Sequence, residues 1–296
     1  MTSLAHGKII RLSDRLRRIT APNPGLMTGA GTNTYILGNK DVAIVDPGPF
    51  DSSGSGSVSN AAMSSHIDTI LDSVGDRIKW VVATHTHLDH SPAVAPIAKA
   101  TGAQVVGMPP ADKLFQDTTF QPNWAMQHDD VIVGDDFHLR AIHTPGHVSN
   151  HLCFLLEEEG VLLAGDHIMN GSTVVIVPPS GDMKAYIESL QLLETYPLLK
   201  IAPAHGELMG QPLETLRWLV EHRLAREAKV IDKLAVNSSV NSSVNLATLV
   251  TQVYDDVDVS LHDYAQLSLL AHLIKLETEL RAASVGEGNK QQWQLL

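Results

Sequence analysis

The chain has 296 residues, with 21 Lys and Arg against 33 Asp and Glu, a formal charge of −12, 15 His and 1 Cys. That length is enough for one large or two modest domains with a sizeable core, and 44% hydrophobic against 18% charged residues excludes a chain disordered throughout. No apolar run approaches the ~18–20 residues of a membrane span, one cysteine excludes a disulfide framework or a cysteine-rich zinc cluster, and the negative balance argues against a general nucleic-acid binder.

Near the start, Arg11, Arg15, Arg17 and Arg18 are not followed by an apolar segment with a small-residue cleavage site, so a cytoplasmic location is expected. Residues 34–38 (TYILG) and 42–46 (VAIVD) predict two strands separated by a turn. Residues 51–60 (DSSGSGSVSN) read as a flexible loop. Apolar spacing predicts a helix over 63–74, a buried strand over 79–84, a helix from Pro92 to about residue 100, and a strand over 104–107. This alternation is that of an α/β domain. From Asp130 the pattern changes to short strands over 131–133, 137–143, 151–156 and 161–164, an antiparallel meander. A helix over 182–196, a strand over 199–202 and a long helix over 213–234 follow. Residues 237–245 read as a loop, 246–254 and 261–281 as two helices, and 284–296 as a ragged end. These divide the chain into residues 1–225 and a small helical unit over 226–296.

The chemistry concentrates in THTHLDH, residues 84–90. It follows a buried strand and precedes a helix, so rigid elements hold its polar side chains. His85, His87, Asp89 and His90 could supply four ligand atoms to metal. Three more clusters stand at strand ends beside Gly or Pro: HTPGH with His143 and His147, GDH with Asp166 and His167, and PAHG with His205. Imidazole and carboxylate without thiolate favour zinc and admit iron or manganese. The seven residues His85, His87, Asp89, His90, His147, Asp166 and His205 are too many for one tetrahedral ion and fit two that share a carboxylate. Two ions ~3.5–4 Å apart can hold a bridging hydroxide and polarise a substrate oxygen.

The pieces GTNTYILG, VDPGP, THTHLDH, HTPGH, LLAGD and PAHG, spanning residues 31–207, resemble metallo-β-lactamase superfamily hydrolases, most of all the β-lactamase-like protein 2 group near glyoxalase II-like enzymes. The resemblance implies an αβ/βα four-layer sandwich with a winged-helix-like tail. It implies His85, His87 and His147 around one ion, Asp89, His90 and His205 around the other, and Asp166 between them, with Asp89 and Asp166 as the catalytic carboxylates. Asp46 matches the Asp that supports the metal loop, and His143 and His151 are expected as supporting or substrate-facing groups. His167 is a weaker candidate. Commonly, true β-lactamases carry Cys where this chain has Asp166. The lone Cys153 falls in a predicted strand and is expected only to pack.

The resulting expectation is a dinuclear zinc hydrolase in which a metal-bridging hydroxide attacks an ester, thioester or lactone carbonyl of a small acyl substrate. The alternatives are a single-strand-specific endoribonuclease using the same ions and a non-catalytic metal- or ligand-binding protein. A membrane partner is not expected, and a homo-oligomer is compatible with this reading. Basic residues near the motifs are few (Lys79, Lys99, Lys113, Lys184), as they are in the tail (Lys275, Arg281, Lys290). Phe115, Phe120 and Trp124, in the connection over 108–127, either wall an acyl pocket or pack that connection down.

Overall fold

The computed structural model describes residues 4–50, 60–110, 112–238, 243–286, 288 and 291–296. Most of the loop expected over 51–60 therefore lies outside the described residues, as do residues 239–242 of the second expected loop and Lys290. The chain divides into two compact units. One takes residues 1–144, 150–173 and 197–212, and the other takes 145–149, 174–196 and 213–296.

In the first unit, β1 (Ile10–Arg11), β2 (Leu16–Thr20), β3 (Asn33–Leu37), β4 (Val42–Val45), β5 (Ile78–Val82), β6 (Gln104–Gly107) and β7 (Trp124–Ala125) form a seven-stranded sheet in chain order. β1 to β4 pair antiparallel and β4 to β7 parallel. Parallel pairing needs a crossover. Helices α1 (Asn60–Val74) and α2 (Val94–Thr101) provide the first two. Alternate residues leave opposite faces of a strand. Leu16, Tyr35, Leu37, Val45 and Val82 enter one core, while Ile19, Ile36, Ile44 and Val81 enter another with Ile67 and Ile70 of α1 and Ile97 of α2. Burial on both faces is why these strands read as near-continuous apolar runs.

The expected meander forms a second sheet from β8 (Val131–Val133), β9 (His138–His143), β10 (Leu152–Leu156) and β11 (Val161–Gly165), which β12 (Lys200–Pro203) extends in parallel. Leu139, Phe154, Leu156 and Leu163 complete the core shared with the first sheet. The unit thus stacks a helical layer and two sheets. Trp124 packs against the core between the sheets and Phe120 is buried in the helix-side core, whereas Phe115 is exposed. Packing therefore accounts for two of the three aromatics in the 108–127 connection.

The second unit contains α3 (Met183–Leu193), α4 (Pro212–Ser238), β13 (Val244–Asn245), α5 (Leu246–Val253), α6 (His262–Thr278), β14 (Ala282–Val285) and β15 (Gln292–Leu295). Asp182 caps α3 by accepting from Ala185 N at 2.8 Å, and Asn245 caps α5 by accepting from Thr248 N at 2.8 Å. The ragged end expected over 284–296 is instead largely ordered: β15 pairs antiparallel with both β13 and β14. The reason is Trp293, 1% exposed in a core with Leu249, Leu269, Leu273 and Leu276. The tail is therefore helices plus a three-stranded sheet. Among the described residues no helix is long and apolar enough to cross a membrane.

Candidate metal centre

In the first unit the motif residues converge because they stand at strand ends. Asp46 follows β4, residues 84–90 follow β5, Asp166 follows β11, and His205 follows β12. The ligand atoms of Asp89, His90, Asp166 and His205 all lie within 4.8 Å of one another, and those of His85, His87 and Asp166 do so in a second group. Asp166 belongs to both groups.

Local backbone explains the sequence around these residues. Gly165 has φ +50°, and a Cβ there would sit 2.6 Å from His151 Nε2 and 2.7 Å from Thr84 Oγ1. Only glycine fits between these groups in that conformation, so Asp166 is delivered by a Gly-Asp pair. The loop carrying His205 is clamped from β3. Asn33 Nδ2 donates to Pro203 O at 3.1 Å and Gly206 O at 2.8 Å, and Tyr35 OH donates to Pro203 O at 2.8 Å.

Hydrogen bonds settle which imidazole nitrogens face inward. Asp46, 2% exposed, accepts from Thr84 N and Thr84 Oγ1, both at 2.7 Å, and from His90 Nδ1 at 3.0 Å. Because the Thr84 hydroxyl donates to Asp46, it accepts from His85 Nδ1, 3.0 Å away. His205 Nδ1 faces the carbonyl of Gly31 at 3.3 Å, which can only accept. His85, His90 and His205 therefore each hold an Nδ1 proton against a partner and turn Nε2 toward the group. Partners of this kind orient imidazole ligands and fix their tautomer.

The spacing of these atoms tests the fit to metal. Atoms ~2.0–2.1 Å from one tetrahedral zinc ion stand about 3.3 Å apart. Here His205 Nε2 is 3.2 Å from both Asp89 Oδ2 and Asp166 Oδ1, and His90 Nε2 is 3.4 and 3.5 Å from Asp89 Oδ2 and Asp166 Oδ2. His90 Nε2 is buried and makes no hydrogen bond. His85 Nε2 and His87 Nδ1 face each other at 3.0 Å. The residues present fit divalent cations.

The electrostatics agree. Burial, with His90, His87 and His151 nearby, holds His85 well below the ordinary histidine value and so keeps it neutral. Burial also lowers His90 and His205, but carboxylates override it. Asp89, Asp166 and Asp46 push His90 well up, and Asp166 with Asp89 brings His205 to about 10. Burial raises Asp89, yet His90 and His205 hold it below the carboxylate range; for Asp166, His205 and His90 outweigh burial in the same way. The carboxylates that hold protons on His90 and His205 would equally attract a metal cation in place of those protons.

His147 lies on the five-residue segment 145–149 of the second unit, where its Nδ1 pairs with Val175 O at 2.9 Å. Of the remaining expected residues, His151 is fully buried with its ring 5.1 Å from that of His85, and its Nδ1 pairs with Thr144 Oγ1 at 2.9 Å. His167 is fully buried 5.6 Å from His151, and His143 ends β9 half-buried. Neither His143, His151 nor His167 belongs to the two ligand groups. Cys153 is buried, its thiol pushed up to about 12 by burial. Sequence reasoning assigned no role to Thr84 or Asn33. Their only signal was position: Thr84 directly precedes the histidine run, and Asn33 lies in GTNTYILG.

Residues 27–205 match the metallo-β-lactamase superfamily, and residues 246–293 match the β-lactamase associated winged helix domain. A β-lactamase-like protein 2 homolog of Caenorhabditis elegans is 30% identical over 271 residues, covering 86% of this chain and 82% of that protein. An atrochrysone carboxyl ACP thioesterase of Passalora fulva is 30% identical over 258 residues, covering 82% of this chain and 69% of that protein. The crystal structure of a β-lactamase domain protein from Burkholderia ambifaria superposes with a TM-score of 0.80 at 18% identity, over 100% of this chain and 95% of that one. With its two stacked sheets, its His/Asp group at their strand ends and its winged-helix tail, the chain belongs to the metallo-β-lactamase superfamily of hydrolases.

Proposed function

We propose that the protein is a dinuclear zinc-dependent hydrolase of small ester, thioester or lactone substrates. The observation that carries this reading is the pair of ligand groups sharing Asp166, with atoms 3.0–3.5 Å apart at His85–His87 and among Asp89, His90, Asp166 and His205. His85, His87 and His147 would hold one ion and Asp89, His90 and His205 the other, with Asp166 common to both. His147 is assigned by its chain position. Its five-residue segment is anchored at both ends, since Thr144 and Asn150 belong to the first unit and Thr144 N bonds His151 O at 3.0 Å. Such ions supply Lewis acidity at a carbonyl oxygen and a hydroxide nucleophile at neutral pH.

The chain's own groups do the rest. Asp46 and Thr84 hold the Nδ1 protons of His90 and His85, so neither ring can turn away. Asp89 has 28% of its side chain exposed against 11% for Asp166. Asp89 is therefore the carboxylate placed to relay the proton of the attacking hydroxyl to the departing alcohol or thiol as the carbonyl–heteroatom bond breaks, while Asp166 positions both halves of the site. A thioester among the substrates is supported by the thioesterase relative. A charge of −12 disfavours a chain of phosphates.

Two measurements test the proposal. Elemental analysis of metal-replete protein should find close to two ions per chain, mostly zinc; one ion or fewer would sink the dinuclear reading. A hydrolysis panel of thioesters, lactones, β-lactams and short single-stranded RNA, with and without chelator, should show higher kcat/KM on an acyl substrate than on RNA. Efficient chelator-sensitive RNA cleavage with background acyl hydrolysis would reverse that ranking.

A further inference from the structure

The segment 114–117 is stapled to the metal loop. Gln116 forms an antiparallel bridge with His87, Asp117 N donates to Thr86 O at 2.6 Å, and Thr86 Oγ1 donates to Gln116 Oε1 at 2.5 Å. Asp117, itself buried, accepts from Ser91 Oγ at 2.8 Å. Phe115 directly precedes Gln116 and Leu88 directly follows His87, so both flank the bridge in the chain. Both are exposed, at 60% and 58%, and Leu114 is 46% exposed. Leu88 stands between His87 and Asp89 in the chain, so this apolar surface is continuous with the metal loop.

Phe115 also has φ +61°, a conformation that a bulky residue rarely accepts. Strain of this kind persists where the surroundings over-determine it, and it clusters at ligand-binding sites. The hydrogen bonds at Gln116 and Asp117 are that over-determination. The exposed ring gains nothing from the core in return.

We propose that Leu88, Leu114 and Phe115 form an apolar lip that recognises the apolar acyl group of the substrate, an inference that rests on the acyl-hydrolase reading above. Leu88 lies between two ligand residues in the chain, so an acyl group extending from a carbonyl held at the ligand group has this apolar surface beside it in the metal loop. Asp112 and Lys113 precede the lip with opposite charges, so the segment offers no net positive charge to a phosphate chain and suits an uncharged group.

The test measures kcat/KM for acetyl and 2-naphthoyl thioesters in the wild type, Phe115→Ala and Leu114→Ala, beside calorimetric binding of acetate, 2-naphthoate and an RNA hexamer. The wild type should prefer the naphthoyl substrate. Phe115→Ala should lower that kcat/KM by roughly tenfold or more, chiefly through KM, and change the acetyl value by less than about twofold. Leu114→Ala, with no strained backbone at the altered residue, should act in the same direction. Equal use of the two thioesters by the wild type, or equal loss on both in Phe115→Ala, overturns the lip and leaves the hydrolase reading in place. If no thioester is hydrolysed, the acyl reading fails and binding decides the lip separately. Naphthoate preferred over acetate and weakened in Phe115→Ala sustains it; indifference to the substitution overturns it. RNA binding that collapses in Phe115→Ala without naphthoate preference overturns it in favour of base stacking.

Discussion

Asp46 and His90 meet at 3.0 Å, carboxylate oxygen to Nδ1, although 44 residues separate them in the chain. Asp46 has φ +51°, a conformation that asparagine also accepts. Asp46→Asn should therefore fold while losing the negative charge that holds His90 and Thr84. The expected effect is a roughly 10–100-fold loss of metal affinity, read by titration against a competing chelator. Wild-type affinity in the folded variant would count against a supporting role for Asp46.

Gly165→Ala should be far more harmful than a surface glycine change. The added Cβ meets both His151 Nε2 and Thr84 Oγ1 below 3 Å, and the φ of +50° is unfavourable to alanine. Together these should cost about 2–4 kcal/mol, measured by urea denaturation. Gly75, with φ +52° and nothing near its Cβ, is the control. Equal destabilisation at both glycines would show that backbone strain alone is at work.

His66 governs a pH window. Burial pushes its pKa down to about 4, against a smaller upward effect of the Pro47 backbone, and its Nε2 pairs with Thr34 Oγ1 at 3.1 Å. The unfolded chain, with an ordinary value near 6.5, binds the proton more readily than the folded one. The stabilisation from keeping His66 neutral is thus complete above about pH 6.5 and is lost as pH falls toward 4, by up to about 3 kcal/mol. His66→Gln should flatten stability against pH across that window in chelator-treated protein. A slope identical to wild type would remove His66 as its cause.

Asp166 and Cys153 should separate function from packing. Asp166→Ala removes the carboxylate common to both ligand groups and should lower turnover by more than ~100-fold with loss of bound metal. Cys153→Ala removes one buried sulfur, costing about 1–2 kcal/mol of stability, with turnover within about twofold of wild type. Comparable turnover losses in two folded, metal-loaded variants would contradict the roles assigned to them.

Much of this molecule was legible in the chain. The burial of β3, β4 and most of β5 left near-continuous apolar runs, and the helices carried their own spacing, so these elements and their approximate boundaries could be read, whereas β1, β2 and β7 were not predicted. The metal loop was legible because histidine and aspartate are crowded immediately after a strand. What could not be read depends on distance in the sequence. Thr84 is an ordinary polar residue until Asp46 and His85 are seen on either side of its hydroxyl. Asn33 matters only because Pro203 and Gly206 lie within reach of its amide. β15 was missed because its alternation (QWQL) spans only four residues, too few to stand out, and pairing with β13 and β14 is what defines it.

The interleaving of the two units, 145–149 and 174–196 lying between stretches of the first and 213–296 after them, has a consequence for synthesis. The ribosome delivers β5 and the three histidines that follow it early, but β12 and His205 come only after the whole of α3 has been made. A nascent chain up to Asp166 already holds every residue of the group that includes His85 and His87, and cannot complete the one that needs His205. Long-range contacts of this kind slow folding because the intervening loop must close first. Full metal loading therefore belongs to the finished chain, and a fragment ending at any boundary before β12 should bind fewer ions than the whole protein.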